Sequence, residues 1–352
     1  MVMEEMETPR KTYILNRGVY DDYGEKVFPN TPAAVMPMPA DLPKNRLGLA
    51  QWLTHPDHPL TARVAVNRFW QNYFGLGLVE TSQDFGNQGA LPSHPELLDW
   101  LATTFVETGW DVKAMQKIIV MSASYQQSSI SSEADLELDI NNKWLARGPN
   151  IRLTSEMLRD NALIASGLLN PTLGGESVYP YQPEGLWAMN FDPYVQSEGT
   201  DLYRRSLYTI WRRTIPNPTL ATFDQPDRNV CTVKRQKTNT PLQALVLLND
   251  PTFVEAAKVL GERMARISDP GKAIEMTFTK LTGIQPSKQE LDLLLQLRAG
   301  EYEVFQHSPE KMKGWLEAGD YQLGEEVEPA AIAANAIVAS VILNSDATIT
   351  KR

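Results

Sequence analysis

Basic side chains are crowded into one stretch of this chain. Between Tyr203 and Asn239 stand Arg204, Arg205, Arg212, Arg213, Arg228, Lys234, Arg235 and Lys237, against only Asp224 and Asp227. The whole protein carries 33 basic and 43 acidic residues, a net charge of −10. Tyr203, Tyr208, Trp211 and Phe223 are interleaved with the island. Guanidinium forks take carboxylate or phosphate oxygens in pairs, and aromatic faces hold sugar rings or bases, so the segment suits an anionic or carbohydrate-like partner. In so acidic a chain the same arginines can equally serve as scaffold, paired with carboxylates of flanking helices. Arg204-Arg205 and Arg212-Arg213 lie two helical turns apart. A helix here would project all four to one side, with Tyr203, Leu207, Ile210 and Trp211 behind them. The run Leu207 to Trp211 also has strand-like composition. Positive charge beside Asp224 and Asp227 would keep both ionised, as salt-bridge partners rather than proton donors.

The four histidines are His55, His58, His94 and His307. His55-Pro56-Asp57-His58 offers two nitrogens and a carboxylate, but no further ligands at recognisable spacing, so no metal site is assigned. His94 falls in the first turn of an expected helix, where the positive helix end favours neutral imidazole, suiting a general base or a packing residue. Hydrolase, zincin and nucleotide-loop signatures are absent. The single Cys231 excludes an intramolecular disulfide, a Cys-based zinc site and Cys-x-x-Cys-His haem attachment. No cofactor is therefore expected in this chain. The acidic balance argues against nucleic acid as a partner. The longest apolar run, Ala330 to Leu343, is too short to span a membrane, and the acidic, Met-rich start lacks the layout of a signal peptide.

Mostly helical elements must position these residues. Hydrophobic residues make up 42% and charged residues 22%, enough for a sizeable core. Prolines 9, 29, 32, 37, 39 and 43 deny backbone donors and make residues 1–44 an extended arm, with a short strand over Lys11 to Leu15. From residue 45 onward, N-cap residues and prolines repeatedly precede apolar runs of helical period. Thr61 starts a helix to Tyr73. Ser93-His94-Pro95-Glu96 has capping-box spacing ahead of Leu97, Leu98, Leu101 and Phe105. Asp111 starts the next helix, 128–142 reads as a surface linker, and Thr154 opens a helix to Leu169. The stretch 174–236 is irregular, with six prolines among its aromatics. Helices return after Thr240-Pro241, Asp250-Pro251, Asp269-Pro270, Ser287, Ser308-Pro309 and Pro329. The fold class is mainly α, with at most a minor strand pair. Residues 45–352 form the helical domain, as lobes 45–130 and 143–352.

Several long strings carry a family resemblance. They are Pro59 to Arg68, Phe74-Gly75-x-Gly77-Leu78, Asp84-Phe85-Gly86, Pro92 to Trp100, Tyr203-Arg204-Arg205-Ser206, Phe223-Asp224-x-Pro226-Asp227-Arg228, Cys231-Thr232-Val233, and Thr238 through Asp250-Pro251. Together they resemble the planctomycete C-terminal domain of unknown function found in planctomycete-type cytochrome-c proteins. The resemblance implies a periplasmic or other extracytoplasmic setting and a cytochrome-c-like domain or protein as partner, with haem confined to that partner. It also implies that an exported cytochrome module and a second planctomycete domain precede this one. Neither is visible, so the chain is expected to be a fragment or a separately encoded part, with a C-terminus similar to the family ending. The family supplies no established mechanism.

Three functions follow as expectations. The first is an accessory module that binds its anionic or carbohydrate-like partner through Arg204, Arg205, Arg212, Arg213, Arg228, Arg235, Tyr208 and Trp211. The second is a hydrolase or oxidoreductase acting on polysaccharide, with His94 as base, Asp224 or Asp227 as carboxylate and Arg228 holding substrate. The third is a docking domain in which Asn67, Arg68, Arg204 and Asp227 form buried ion pairs. Convergence of the guanidiniums on an open cleft would favour the first two.

Overall fold

The computed structural model describes residues 4–187 and 193–351. It is mainly α: 47% is helical, with two small antiparallel strand pairs among the described residues. The chain divides into two compact units, residues 1–149 and 150–352.

In the N-terminal unit, β1 (Thr12–Leu15) pairs antiparallel with β2 (Tyr23–Val27), and the proline-rich arm runs from there to α1 (Arg46–Leu53). Trp52 is buried and its indole N–H donates to Met36 O at 3.0 Å, fixing the arm to α1. The core is α2 (Thr61–Phe74) packed with α3 (Pro95–Glu107) and α4 (Val112–Val120) through Val66, Trp70, Phe74, Leu98, Leu101, Phe105, Met115 and Ile119. Asp111 caps α4 by accepting from Ala114 N at 3.0 Å. Buried Asn67 accepts from Val79 N at 2.8 Å and donates to Val79 O at 3.1 Å, stitching the loop after α2 to the helix. A Cβ on Gly77 would stand 2.6 Å from Val79 O, so this close approach explains the glycine of the Phe74-Gly75-x-Gly77 string.

Two starts differ from expectation. Thr61 does not cap α2; His58 does, its Nδ1 accepting from Leu60 N at 3.2 Å and Thr61 N at 3.1 Å. The capping box at Ser93 does not form either. His94 takes the N-cap position without a side-chain cap, because Ser93 N instead donates to Leu78 O at 2.8 Å. The stretch expected as a linker contains a short α5 (Glu133–Leu138), set by a capping box between Ser132 and Asp135.

In the C-terminal unit, β3 (Ile151–Arg152) is followed by α6 (Ser155–Ser166), whose last residue lies three before the expected Leu169 and is followed by left-handed Gly167 as C-cap. After α7 (Pro218–Thr222) come α8 (Pro241–Asn249), α9 (Pro251–Ala265), α10 (Pro270–Thr282), α11 (Lys288–His307), α12 (Lys313–Leu316), α13 (Pro329–Leu343) and α14 (Asp346–Ile349), and β4 (Thr350–Lys351) returns to pair with β3. Thr240, Asp250, Asp269 and Ser287 cap their helices as their positions predict. The helices α9 and α13 form the centre. A Cβ on Gly261 would lie 2.5 Å from Ile332 O, and Ala333, Ala334, Ala336 and Ala339 are fully buried, so small residues let the two backbones approach. The apolar run 330–343 is thus a core helix, and no described helix is long and apolar enough to cross a membrane.

On the other side of α9, Glu255, Lys258 and Glu262 are buried. Glu255 accepts from Tyr203 OH at 2.8 Å, Tyr181 OH at 3.0 Å and Tyr321 N at 2.7 Å. Lys258 Nζ donates to Ala318 O at 2.5 Å and Tyr321 O at 2.7 Å. Left-handed Gly319 packs so closely that a Cβ would stand 2.1 Å from Glu255 Cδ. The network fastens the loop before α13 to α9. Burial lowers the Lys258 pKa, while burial and the Glu255 carboxylate raise those of Tyr181 and Tyr203.

Two predictions follow from these arrangements. Glu255→Ala leaves two tyrosine hydroxyls and a backbone N–H without their acceptor, so it should lower the unfolding free energy in urea by roughly 3–5 kcal/mol. Burial, with His55 nearby, holds the His58 pKa below the usual imidazole value. The unfolded chain therefore takes the proton first. The cap's contribution should be complete above pH ~6.5 and lost as pH falls through the depressed folded value. Thermal melting between pH 8 and pH 5 should show the wild-type advantage over His58→Ala shrinking toward the acid end.

Candidate anion site of the C-terminal unit

The island does not form the helix that its spacing allowed. Gly199–Tyr203 and Ser206–Tyr208 are short 3-10 turns, and Arg204 and Arg205 between them are extended. Arg159 on α6, 3% exposed, explains this. Its guanidinium donates to Leu202 O at 2.9 Å, Arg204 O at 2.8 Å and Ser206 Oγ at 3.3 Å, while Asp160 accepts from Ser206 N at 2.8 Å. Carbonyls spent on a buried guanidinium are not available to a helical ladder.

Most of the predicted binding residues have separate partners. Arg204, 5% exposed, donates to the carbonyls of Thr172 at 3.1 Å, Glu176 at 3.0 Å and Gly174, and lies 3.9 Å over the Tyr208 ring. Tyr208 OH accepts from Gly174 N at 2.8 Å, closing the same loop. Arg205 is exposed with Nε 3.8 Å from Asp160. Arg212 stacks 4.5 Å over Trp187, and Arg228 5.1 Å over Trp211, whose indole N–H donates to Asp227 O at 3.2 Å. Arg213 is exposed.

The expected ion-pair set does not form. Arg204 is buried against carbonyls instead of a carboxylate, Asp227 and Arg68 are exposed, and Asn67 bonds to Val79. Asp227 accepts from Asn229 N at 3.0 Å and Nδ2 at 2.9 Å, which hold its pKa below the usual range. His94 belongs to the N-terminal unit. There its Nδ1 lies 2.9 Å from Ser93 Oγ and its ring meets Trp144 edge-on at 5.9 Å. No carboxylate partner of His94 is seen among the described residues. No cluster of three potential metal-ligating His, Cys, Asp or Glu is present among them either.

Asp224 and Arg235 do meet, at a small, partly open pocket lined also by Arg152, Thr154, Phe223, Lys237 and Gln243. A relay of polar groups shapes it. Left-handed Asp224 (φ 60°) accepts from Thr238 N at 2.7 Å and Thr238 Oγ1 at 2.8 Å. Fully buried Gln243 donates to Thr238 Oγ1 and Thr222 O, both at 3.0 Å, and accepts from Arg152 Nη2 at 2.9 Å. Arg235 makes a two-pronged pair with Glu156 at 2.9 and 2.6 Å. Burial alone would raise the Glu156 pKa, but the Arg235 guanidinium holds it at about 2.

With Arg235 and Glu156 neutralising each other, positive charge remains in excess. Arg152 Nε is buried with no hydrogen-bond partner among the described residues. Lys237 keeps contact with solvent, yet its pKa is pushed down, first by desolvation and second by Lys351. Desolvation also lowers the Lys351 pKa. The β3–β4 pairing brings Lys351 alongside Ile151, one residue from Arg152. An ammonium group disfavoured by desolvation and by Lys351, next to a buried guanidinium N–H without a partner among the described residues, gives the pocket an excess of positive charge. Sequence reasoning named Asp224 and Arg235 here and counted Lys237 in the island, but missed Arg152, Gln243 and Lys351. The one available signal was the string Thr238 to Gln243.

No curated protein and no solved structure matches this sequence. One family model does, over residues 45–298, from the first helix of the N-terminal unit to the middle of α11. That match covers both the Asn67 loop and the pocket residues Arg152, Asp224, Arg235, Lys237 and Gln243. The chain belongs to the PSD1 family, described as proteins of unknown function (DUF1553).

Proposed function

We propose that the C-terminal unit is an anion-binding module, whose pocket takes the carboxylate, sulfate or phosphate group of a ligand between Arg152 and Lys237. The reading rests on the charge imbalance there: desolvation and the nearby Lys351 lower the Lys237 pKa, beside a buried Arg152 Nε with no hydrogen-bond partner among the described residues. An oxyanion would accept from Arg152 Nε and Lys237 and offset the repulsion that Lys351 exerts on Lys237. Arg235 and Gln243 position the site. Arg204 acts at a distance from it, as scaffold for the 172–176 loop. The family resemblance supports placing this module outside the cytoplasm, as the accessory of a cytochrome-c-like partner that carries the haem.

Titration of the full chain with phosphate or sulfate, by calorimetry and by thermal melting, tests the proposal. Binding should raise the melting temperature of the wild type, and Lys237→Met should weaken it about tenfold or more. Lys237→Met should also melt higher than wild type without anion, because a repelled charge is removed. Because the Lys237 pKa is depressed, binding should draw in protons, and affinity should fall as pH rises through that range. Arg204→Ala should lower stability while leaving the affinity of the remaining folded protein nearly unchanged. Lack of any anion effect on the wild type would overturn the proposal.

A further inference from the structure

Residues 133–140 read Glu-Ala-Asp-Leu-Glu-Leu-Asp-Ile, an unbroken alternation of acidic and apolar side chains. That period of two belongs to a strand, in which Ala134, Leu136, Leu138 and Ile140 share one face and the four carboxylates the other. The chain folds it otherwise. Residues 133–138 form α5, held by the Ser132–Asp135 capping box, and the helical period turns Leu136 away from Ala134 and Leu138. No residue of α5 is buried, and Leu138 is 85% exposed. Tertiary packing therefore contributes little to keeping the segment helical, and its six residues fall well below the ~12–15 at which an isolated helix becomes even marginally stable. Both ends are fastened. Gly148 N donates to Ser128 O at 2.8 Å, and the Asp139 carboxylate accepts from Lys143 N at 2.8 Å and Trp144 N at 2.7 Å.

The same unit carries an open sheet edge. Among the described residues β1 pairs with β2 alone, and two strands without further cover are marginal in water. Ile14, Leu15, Val19, Tyr20, Tyr23 and Phe28 of this hairpin and its flank are all exposed. The β1 edge has none of the usual protections, since Thr12-Tyr13-Ile14-Leu15 contains neither a charge nor a proline. Its flanks are basic: Arg10, Lys11 and Arg17 stand there, with no acidic residue from Thr8 to Tyr20. β2 instead carries Glu25 beside Lys26 and follows Asp21 and Asp22, so the edge suited to an acidic strand is that of β1.

We propose that residues 133–138 of one chain open into a strand and add to the β1 edge of a second copy, whose own segment returns to the first, closing a two-fold dimer through two reciprocal contacts. The chain itself supplies both halves of the match, an acidic and apolar strand pattern and an apolar edge with basic flanks. In a single copy neither covers the other, since both are exposed. Six extended residues reach ~20 Å, enough to run along all of β1. Leu136 and Leu138 then gain apolar neighbours on the hairpin, where the Tyr13 and Tyr23 rings already meet at 5.1 Å. Glu133, Asp135 and Glu137 come to the edge flanked by Arg10, Lys11 and Arg17. The contact lies wholly within the N-terminal units and does not depend on the pocket at Arg152.

Sedimentation velocity of the full chain over a range of concentrations tests this pairing. The wild type should pass from monomer to dimer as concentration rises, and added salt should weaken the dimer because charge assists the contact. Ile14→Lys puts a charge into the edge, and the double variant Leu136→Ser with Leu138→Ser strips the apolar face of the segment. Each should weaken dimerisation about tenfold or more while melting close to the wild type, as expected of exposed side chains. The first variant keeps its segment whole and the second keeps its edge whole. An equimolar mixture of the two therefore regains one intact contact and should form a heterodimer at concentrations where each alone is monomeric. A wild type still monomeric at ~100 μM, a dimer indifferent to both variants, or a mixture no more associated than its components would overturn the proposal.

Discussion

A buried guanidinium needs acceptors for its N–H groups, and a completed helix has none to spare. Arg159 and Arg204 impose this constraint on the C-terminal unit. Arg159 takes the carbonyls of Leu202 and Arg204, and Arg204 takes those of Thr172, Gly174 and Glu176. The backbone that supplies these oxygens is thereby kept out of regular structure, although helices precede and follow it. Asp160 adds the complementary half by accepting the N–H of Ser206.

That division of labour separates the basic residues into two kinds. Arg159 and Arg204 spend their terminal N–H groups on carbonyls, each keeping a buried Nε without a partner among the described residues, and Arg235 pairs with Glu156, so their charge is part of the architecture. At the pocket the balance differs: desolvation and the nearby Lys351 work against the charge of Lys237, and Arg152 keeps a buried Nε with no partner among the described residues. Asp224 is the one carboxylate among the lining residues, and it is engaged by Thr238, so basic groups outnumber acidic ones at the pocket.

How much of this was legible in the sequence depends on the range of the interaction. Helix starts at Asp111, Thr240, Asp250, Asp269 and Ser287 were readable because a cap is settled within three or four residues. The start of α2 was misread because an imidazole, His58, does the work of a hydroxyl, and the start of α3 because Ser93 is engaged by Leu78. Glu255, Lys258 and Glu262 have the composition of a solvated helix face, and only the tertiary fold buries them. The pocket draws on residues near 152, 224, 237 and 243, separations that no local pattern encodes. The helical geometry suggested for Arg204 to Arg213 failed because the deciding partner, Arg159, lies more than forty residues away in sequence.

The central claim is that positive charge at Arg152 and Lys237 awaits an oxyanion. Crystals of the full chain soaked in selenate, with anomalous diffraction collected at the selenium edge, address it most directly. The account predicts an anomalous peak within hydrogen-bond reach of Arg152 Nε and Lys237 Nζ, with the Arg235–Glu156 pair intact beside it. An empty pocket, with Lys237 bound instead to a carboxylate of its own chain, would contradict the account.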